Sequence, residues 1–277
     1  MPDYLQRKYD FSDPGFASSL DEISWWSSHF GRLLLNRLEL RRNIVALDLA
    51  CGNGFPLLEL AGMHGSSCRF YGMDIWKESL ARAALKQQAK QIPNAWLIRA
   101  DGIHLPFESN KFDLITSNLG LNNFENASAV LRECARVVRS GGRIVLTSNV
   151  KGHFAELYSA YREVLSAQGL ENRMPNLQEN EDHRGSKESI SRMLEKAGFR
   201  VTSAVVEPFT LRYLNGSALL NHPLTVLGFL DGWRKVVEPA DEERVLIALE
   251  ERLNEMASKG GELRMTIPAL YMEAERR

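Results

Sequence analysis

From Ile44 onward the chain alternates short apolar runs with amphipathic stretches, and this alternation constrains the fold more than any other feature. Ile44–Leu49, Arg69–Asp74, Ala95–Arg99, Phe112–Ser117 and Arg143–Ser148 have the length and composition of buried strands. Between them, residues 78–90 set Leu80, Ala84 and Leu85 against Arg82, Lys86 and Lys90. Residues 126–139 place Val130, Cys134, Val137 and Val138 at helical spacing, and Gly141-Gly142 then breaks the helix. Repeated βα units of this kind make a mainly parallel sheet. Two further strands are expected near Arg200–Val206 and Arg264–Met272. The predicted fold class is therefore α/β: a mainly parallel sheet of seven strands with helices on both faces and a helical cap insert. The expected boundaries are a helical preface over 1–43, a ligand-binding core over 44–206, a cap insert over 207–260 and the final strand over 261–277.

Charge and cysteine usage narrow the function classes. With 34 Lys+Arg and 35 Asp+Glu in 277 residues, the net charge is −1, which supplies no global field for nucleic acid. No basic stripe with interleaved aromatics occurs, so no nucleic-acid partner is expected. Cys51, Cys68 and Cys134 are widely spaced and include no CxxC pair, as suits a reducing compartment without structural zinc. The polar segment Met1–Asp10 does not read as a signal peptide. No run reaches the ~20 apolar residues of a membrane span. The expected location is cytoplasmic, and an oligomer is compatible with the sequence.

The strongest local motif is Val45-Ala46-Leu47-Asp48-Leu49-Ala50-Cys51-Gly52-Asn53-Gly54. A buried strand ends in a Gly-x-Gly turn, where glycine lets the backbone approach a ligand at the mouth of the next helix. The third glycine of a dinucleotide fingerprint is missing, since Leu57 stands there. Asp48 lies just before the turn, where a carboxylate would repel a pyrophosphate. It suits a ligand with a cationic amine and a sulfonium centre, S-adenosylmethionine rather than NAD. Asp74 ends the second strand and is placed to take both ribose hydroxyls, with Ile75 and Trp76 beside the adenine. Asp101 ends the third strand and can accept from an exocyclic adenine amine.

These stretches resemble the class I S-adenosylmethionine-dependent methyltransferases, in particular the small-molecule branch that includes quinone-biosynthesis C-methyltransferases. The resemblance rests on Leu47–Gly54, Gly72–Asp74, Ala100–Gly102 with Leu105-Pro106-Phe107, Phe112–Ile115 and Val137–Arg143, and covers residues 44–150. It implies a Rossmann-like sheet with an antiparallel last strand, S-adenosyl-L-methionine as cofactor, S-adenosyl-L-homocysteine as product and a small-molecule methyl acceptor as partner. It implies that Asp48, Gly52 and Gly54, in the turn with Ala50 and Asn53, surround the methionine part. Asp74, next to Ile75, would hold the ribose, Asp101, Gly102 and Ile103 the adenine, and Asn118 and Leu119 would lie under the transferring methyl. The sequence departs from the family at Phe55-Pro56, where a small residue is usual. Asn118-Leu119-Gly120-Leu121 replaces the Asn-Pro-Pro-Tyr of DNA amino-methylation, and the cysteine pattern of arsenite methylation is absent.

Beyond the cofactor motifs, His153 follows the fifth strand and is the candidate general base, although the reaction needs none if the acceptor is already nucleophilic. Tyr213, Phe229 and Trp233 are candidate acceptor contacts, against the alternative that they fill a core. His104 reads as a solvated loop residue and Asp113 as structural. Methylation of a protein or an RNA, and adenosyl-cofactor binding without catalysis, remain as alternatives.

Overall fold

The computed structural model describes residues 2–22 and 25–277, with only the backbone described for residues 19–22. Met1, Ile23 and Ser24, which fall within the helical preface expected over 1–43, lie outside the described residues. The chain divides into two compact units: Asp10–Asn149 with Ser186–Glu207 and Ala269–Arg277, and Met1–Tyr9 with Val150–Gly185 and Pro208–Pro268.

The first unit is built on a sheet. Its strands are β1 (Val45–Leu49), β2 (Arg69–Asp74), β3 (Ala95–Arg99), β4 (Phe112–Asn118), β5 (Val138–Asn149), and the relevant portions of β6 (Phe199–Tyr213) and β7 (Leu263–Arg276). They lie in the order β3-β2-β1-β4-β5-β7-β6. β1 to β5 pair in parallel, and β7 runs antiparallel to β5 with Arg143 opposite Glu275 and Asn149 opposite Ala269. The expected seven-stranded sheet with a reversed last strand is what the chain forms. Its central strands carry Ala46, Leu47, Phe70, Leu114, Ile115, Val145 and Leu146, all buried, as parallel strands covered on both faces require. Register sets Asp48 opposite Gly72 and Thr116, so the ends of β1, β2 and β4 converge on one edge.

Two boundaries differ from expectation. The helix Ala127–Val137 ends before Gly141, and β5 begins at Val138 instead of Arg143. Pairing jumps from Phe112↔Val138 to Leu114↔Arg143, so residues 139–142 bulge out of the ladder with Gly141 at φ +72°. The glycine pair serves a bulge inside the strand. β6 also runs on to Tyr213, because Leu211 and Tyr213 continue the alternation with their side chains buried. The segment between β6 and β7 therefore starts after Tyr213.

The N-terminal helices Pro14–Glu22 and Trp25–Arg37 belong to the sheet unit. The second buries Phe30, Leu33 and Leu34. It comes so close to the glycine turn that a Cβ on Gly31 would stand 2.2 Å from the Phe55 ring. The unusual Phe55 of the sequence thus packs under this helix.

The second unit is mainly helical. Ala155–Ala167 buries Leu157, Tyr158, Ala160, Tyr161, Val164 and Leu165, an i, i+3, i+4 stripe. Glu242–Gly260 buries Leu246, Leu249 and Leu253 on its own stripe. Short helices Gly216–Asn221, Pro223–Gly228 and Leu230–Arg234 fill the space between, with Tyr161 Oη donating to the Trp233 carbonyl at 2.9 Å. Residues 150–185, which the sequence reading placed with the core, share this unit with the segment 208–268.

Candidate functional site

The edge where β1, β2 and β4 end opens into a cavity of about 560 Å³ within the sheet unit, a size suited to a drug-sized ligand. Of the residues assigned from sequence, Ala50, Gly52, Asn53, Asp74, Ile75, Asp101, Gly102, Ile103 and Asn118 line it. Asp48, Gly54 and Leu119 are not among its lining residues. Met73, Trp76, Ser79, Phe124, Glu125, Asn126 and Val130 also line it. Of these the sequence had singled out only Trp76 for the ligand. Asn126 is the N-cap of the next helix, where its side chain accepts from Ala129 N–H at 2.9 Å, a signal that the sequence reading did not use.

The backbone of the first turn is held in an unusual path. Ala50 has φ +59° and Gly54 φ +88°. A Cβ at Gly54 would lie 3.1 Å from both the Ala83 Cβ and the Leu58 Cδ1, so this glycine is required by conformation and by space together. Leu119, after β4, is likewise at φ +66°. The two turns meet at Gly120, where a Cβ would stand 2.9 Å from that of Ala50. Non-glycine residues held at positive φ on both sides of a cavity mark a functional constraint.

Asp74 locks this turn to β2. Its Oδ2 accepts the Gly52 N–H at 2.9 Å, and its Oδ1 accepts the Trp76 N–H at 2.9 Å. Asp101 Oδ1 accepts the Ile103 N–H at 3.1 Å. Ser79 donates to the Asn53 Oδ1. Trp76 Nε1 donates to the Phe11 carbonyl at 2.7 Å, and the Phe11 ring meets Trp76 edge-on at 5.7 Å. Asn118 Nδ2 donates to the Ser27 carbonyl at 3.2 Å. The N-terminal segment thus borders the cavity at both ends.

Asp48 is buried behind the turn, with Oδ1 accepting from Thr116 Oγ1 at 2.7 Å. Burial pushes its pKa up to about 7, and the nearby Asp74 charge adds to the rise. The cavity rim carries Asp74, Asp101 and Glu125 and, among its lining residues, no Lys, Arg or His. Such a rim favours a cationic ligand and disfavours a pyrophosphate.

The other sequence candidates lie in the helical unit. His153 is 1% exposed, its ring packed near Phe154, Tyr158 and Phe229. Burial and the charge of Arg184 push its pKa down to about 3, which makes it a weak base. Tyr213, Phe229 and Trp233 are all buried there, and Phe229 and Trp233 stack at 6.0 Å. His104 is exposed, and Asp113 ties β4 to β1 by accepting the Val45 N–H at 2.7 Å. The three cysteines are buried and free. Among the described residues no group of His, Cys, Asp or Glu is arranged for a metal ion, and no helix is long and apolar enough to cross a membrane.

Residues 47–146 match the family model described as a methyltransferase domain. A demethylmenaquinone methyltransferase from a Geobacillus species is 34% identical over 111 residues, 40% of this chain and 47% of that protein. The chain thus spans about half the length of this relative. A demethylmenaquinone methyltransferase from Lactiplantibacillus plantarum is 28% identical over 209 residues, covering 71% of this chain and 87% of the relative. Among solved structures, an S-adenosylmethionine-dependent methyltransferase from Aquifex aeolicus superposes with a TM-score of 0.54 at 21% identity, over 72% of this chain and 93% of the other. In sheet order, glycine turn and matched region the chain is similar to the class of methyltransferase domains. Within that class the domain is similar to those of the quinone-biosynthesis methyltransferases.

Proposed function

We propose that the chain transfers the methyl group of S-adenosylmethionine to a small-molecule acceptor. The acid-rimmed cavity carries this reading, because it holds Asp74 and Asp101 in position by backbone hydrogen bonds and presents no cation to an incoming sulfonium. Asp74 would take the ribose hydroxyls and Asp101 with Gly102 and Ile103 the adenine. Asp48 would compensate the charge of the methionine end, beside Ala50, Gly52, Asn53 and Gly54. When bound, the cofactor supplies an activated methyl. The chain's part is to orient it, keep Asn118 and Leu119 beneath the transfer path and exclude water. His153, with its depressed pKa, is a poor candidate for the base.

The relatives named above act on demethylmenaquinone, which makes a quinol-type acceptor the first to try. We assign the acceptor-recognising residues to the helical unit, including Tyr213, Phe229 and Trp233, and the protein to the cytoplasm. The test is a methyl-transfer screen against pooled metabolites, a demethylated quinol among them, read by mass. A product heavier by one methylene supports the reading. Methylation confined to added protein or RNA would overturn it.

A further inference from the structure

We infer that the helical unit holds an anion-binding site, built on Arg184 and His153, that takes the carboxylate of a small organic acid. Arg184 is half-buried, its guanidinium 5.8 Å from the centroid of the Phe229 ring. Among the described residues no carboxylate pairs with it. The two acids nearest in sequence are already engaged, Asp182 with Lys151 and Glu181 with Arg162. A desolvated cation without a counterion is costly unless something compensates it. The Phe229 face offsets only part of that cost.

The second observation is independent of the first. His153 is 1% exposed, yet its Nδ1 has no hydrogen-bond partner. A buried polar nitrogen left unpaired calls for an explanation. The neighbouring Tyr158 hydroxyl donates to Asn180 Oδ1 at 2.8 Å and makes no hydrogen bond to this nitrogen. His153 and Arg184 both lie against the Phe229 ring, whose centroid is 6.0 Å from that of the imidazole and 5.8 Å from the guanidinium carbon. The local balance is positive, with an unspent guanidinium fork and an unspent imidazole nitrogen. A carboxylate satisfies both, accepting two parallel bonds from the fork, and the Phe229 ring beside it suits an acid with a flat apolar body. This inference goes beyond the methyl-transfer reading and does not depend on it.

The probe is benzoate, with benzamide as its neutral counterpart and inorganic phosphate as the alternative oxyanion. Thermal unfolding of the full chain is followed at constant ionic strength. Benzoate is expected to raise the midpoint saturably, and benzamide and phosphate are not. Arg184→Met removes the charge while keeping bulk, and should raise the half-saturating benzoate concentration by roughly tenfold or more. Without ligand this variant should melt no lower than the wild type, because an uncompensated cation has gone. His153→Gln should weaken the benzoate response without abolishing it. If Arg184→Met does not fold, the comparison of benzoate with benzamide on the wild type decides alone. Equal responses to benzoate and benzamide, no response to benzoate, a response to phosphate only, or an undiminished response in Arg184→Met would overturn the assignment.

Discussion

The carboxylate of Asp74 accepts the backbone N–H of Gly52 at 2.9 Å, which fixes the glycine turn to the end of β2. The same oxygen keeps a free lone-pair direction, so it is oriented before any ligand arrives. Asp74→Ala should weaken S-adenosylhomocysteine binding by about 1.5–3 kcal/mol through lost charge-assisted bonds. Calorimetry on a folded variant measures this, and unchanged affinity would remove Asp74 from the ribose role.

Asp48 gives a pH signature. Its pKa stands near 7 in the folded protein against an ordinary 3.8, so between about pH 4 and 7 the folded state binds the extra proton and stability falls as pH rises. Asp48→Asn should flatten that slope, gaining stability relative to the wild type between pH 5 and pH 8 in urea melts. A cation placed against Asp48 favours its ionised form, so S-adenosylmethionine should bind the wild type more tightly at the higher pH and the variant almost equally at both. A pH-independent wild-type affinity would separate Asp48 from the methionine end.

Gly72 lies in mid-strand where no side chain fits: a Cβ would stand 2.2 Å from Leu57 Cδ2 and 3.0 Å from Cys51 Sγ. Gly72→Ala should cost about 1–3 kcal/mol by overpacking. Chemical denaturation checks this, and a loss under ~0.5 kcal/mol would mean that the helix Leu57–His64 shifts freely.

Phe229 and Trp233 form a buried stack, so truncating both to Ala would destabilise the helical unit before it reported on the acceptor. The gentler Phe229→Leu should leave cofactor affinity intact and, if the unit recognises the acceptor, raise the acceptor's KM severalfold. A fall in cofactor affinity with KM unchanged would contradict that division of labour.

Much of the sheet was legible because each strand from Ile44 to Ser117 is a short apolar run closed by a turn or an acid. The cavity residues on β1, β2 and β3 were legible for the same reason, since their positions follow from the strand ends. What escaped was non-local. Nothing in Phe11, Ala17 or Ser27 announces that their carbonyls accept from Trp76, Asn53 and Asn118, partners 36 to 91 residues away. The glycine pair at 141–142 read as a helix stop because a strand bulge leaves the same local signal. The grouping of residues 150–185 with 208–268 depends on packing between stripes, such as Tyr161 against Trp233, that periodicity identifies singly but does not pair.

The central claim is methyl transfer to a small molecule, and the direct measurement follows the label. Purified protein is incubated with methyl-tritiated S-adenosylmethionine and a cell extract, and the products are separated by size and solvent partition. The account predicts enzyme-dependent tritium in low-mass extractable material, with loss of that label in Asp74→Ala. Tritium found only in protein or RNA, or no enzyme-dependent transfer by a chain that binds the cofactor, would contradict it.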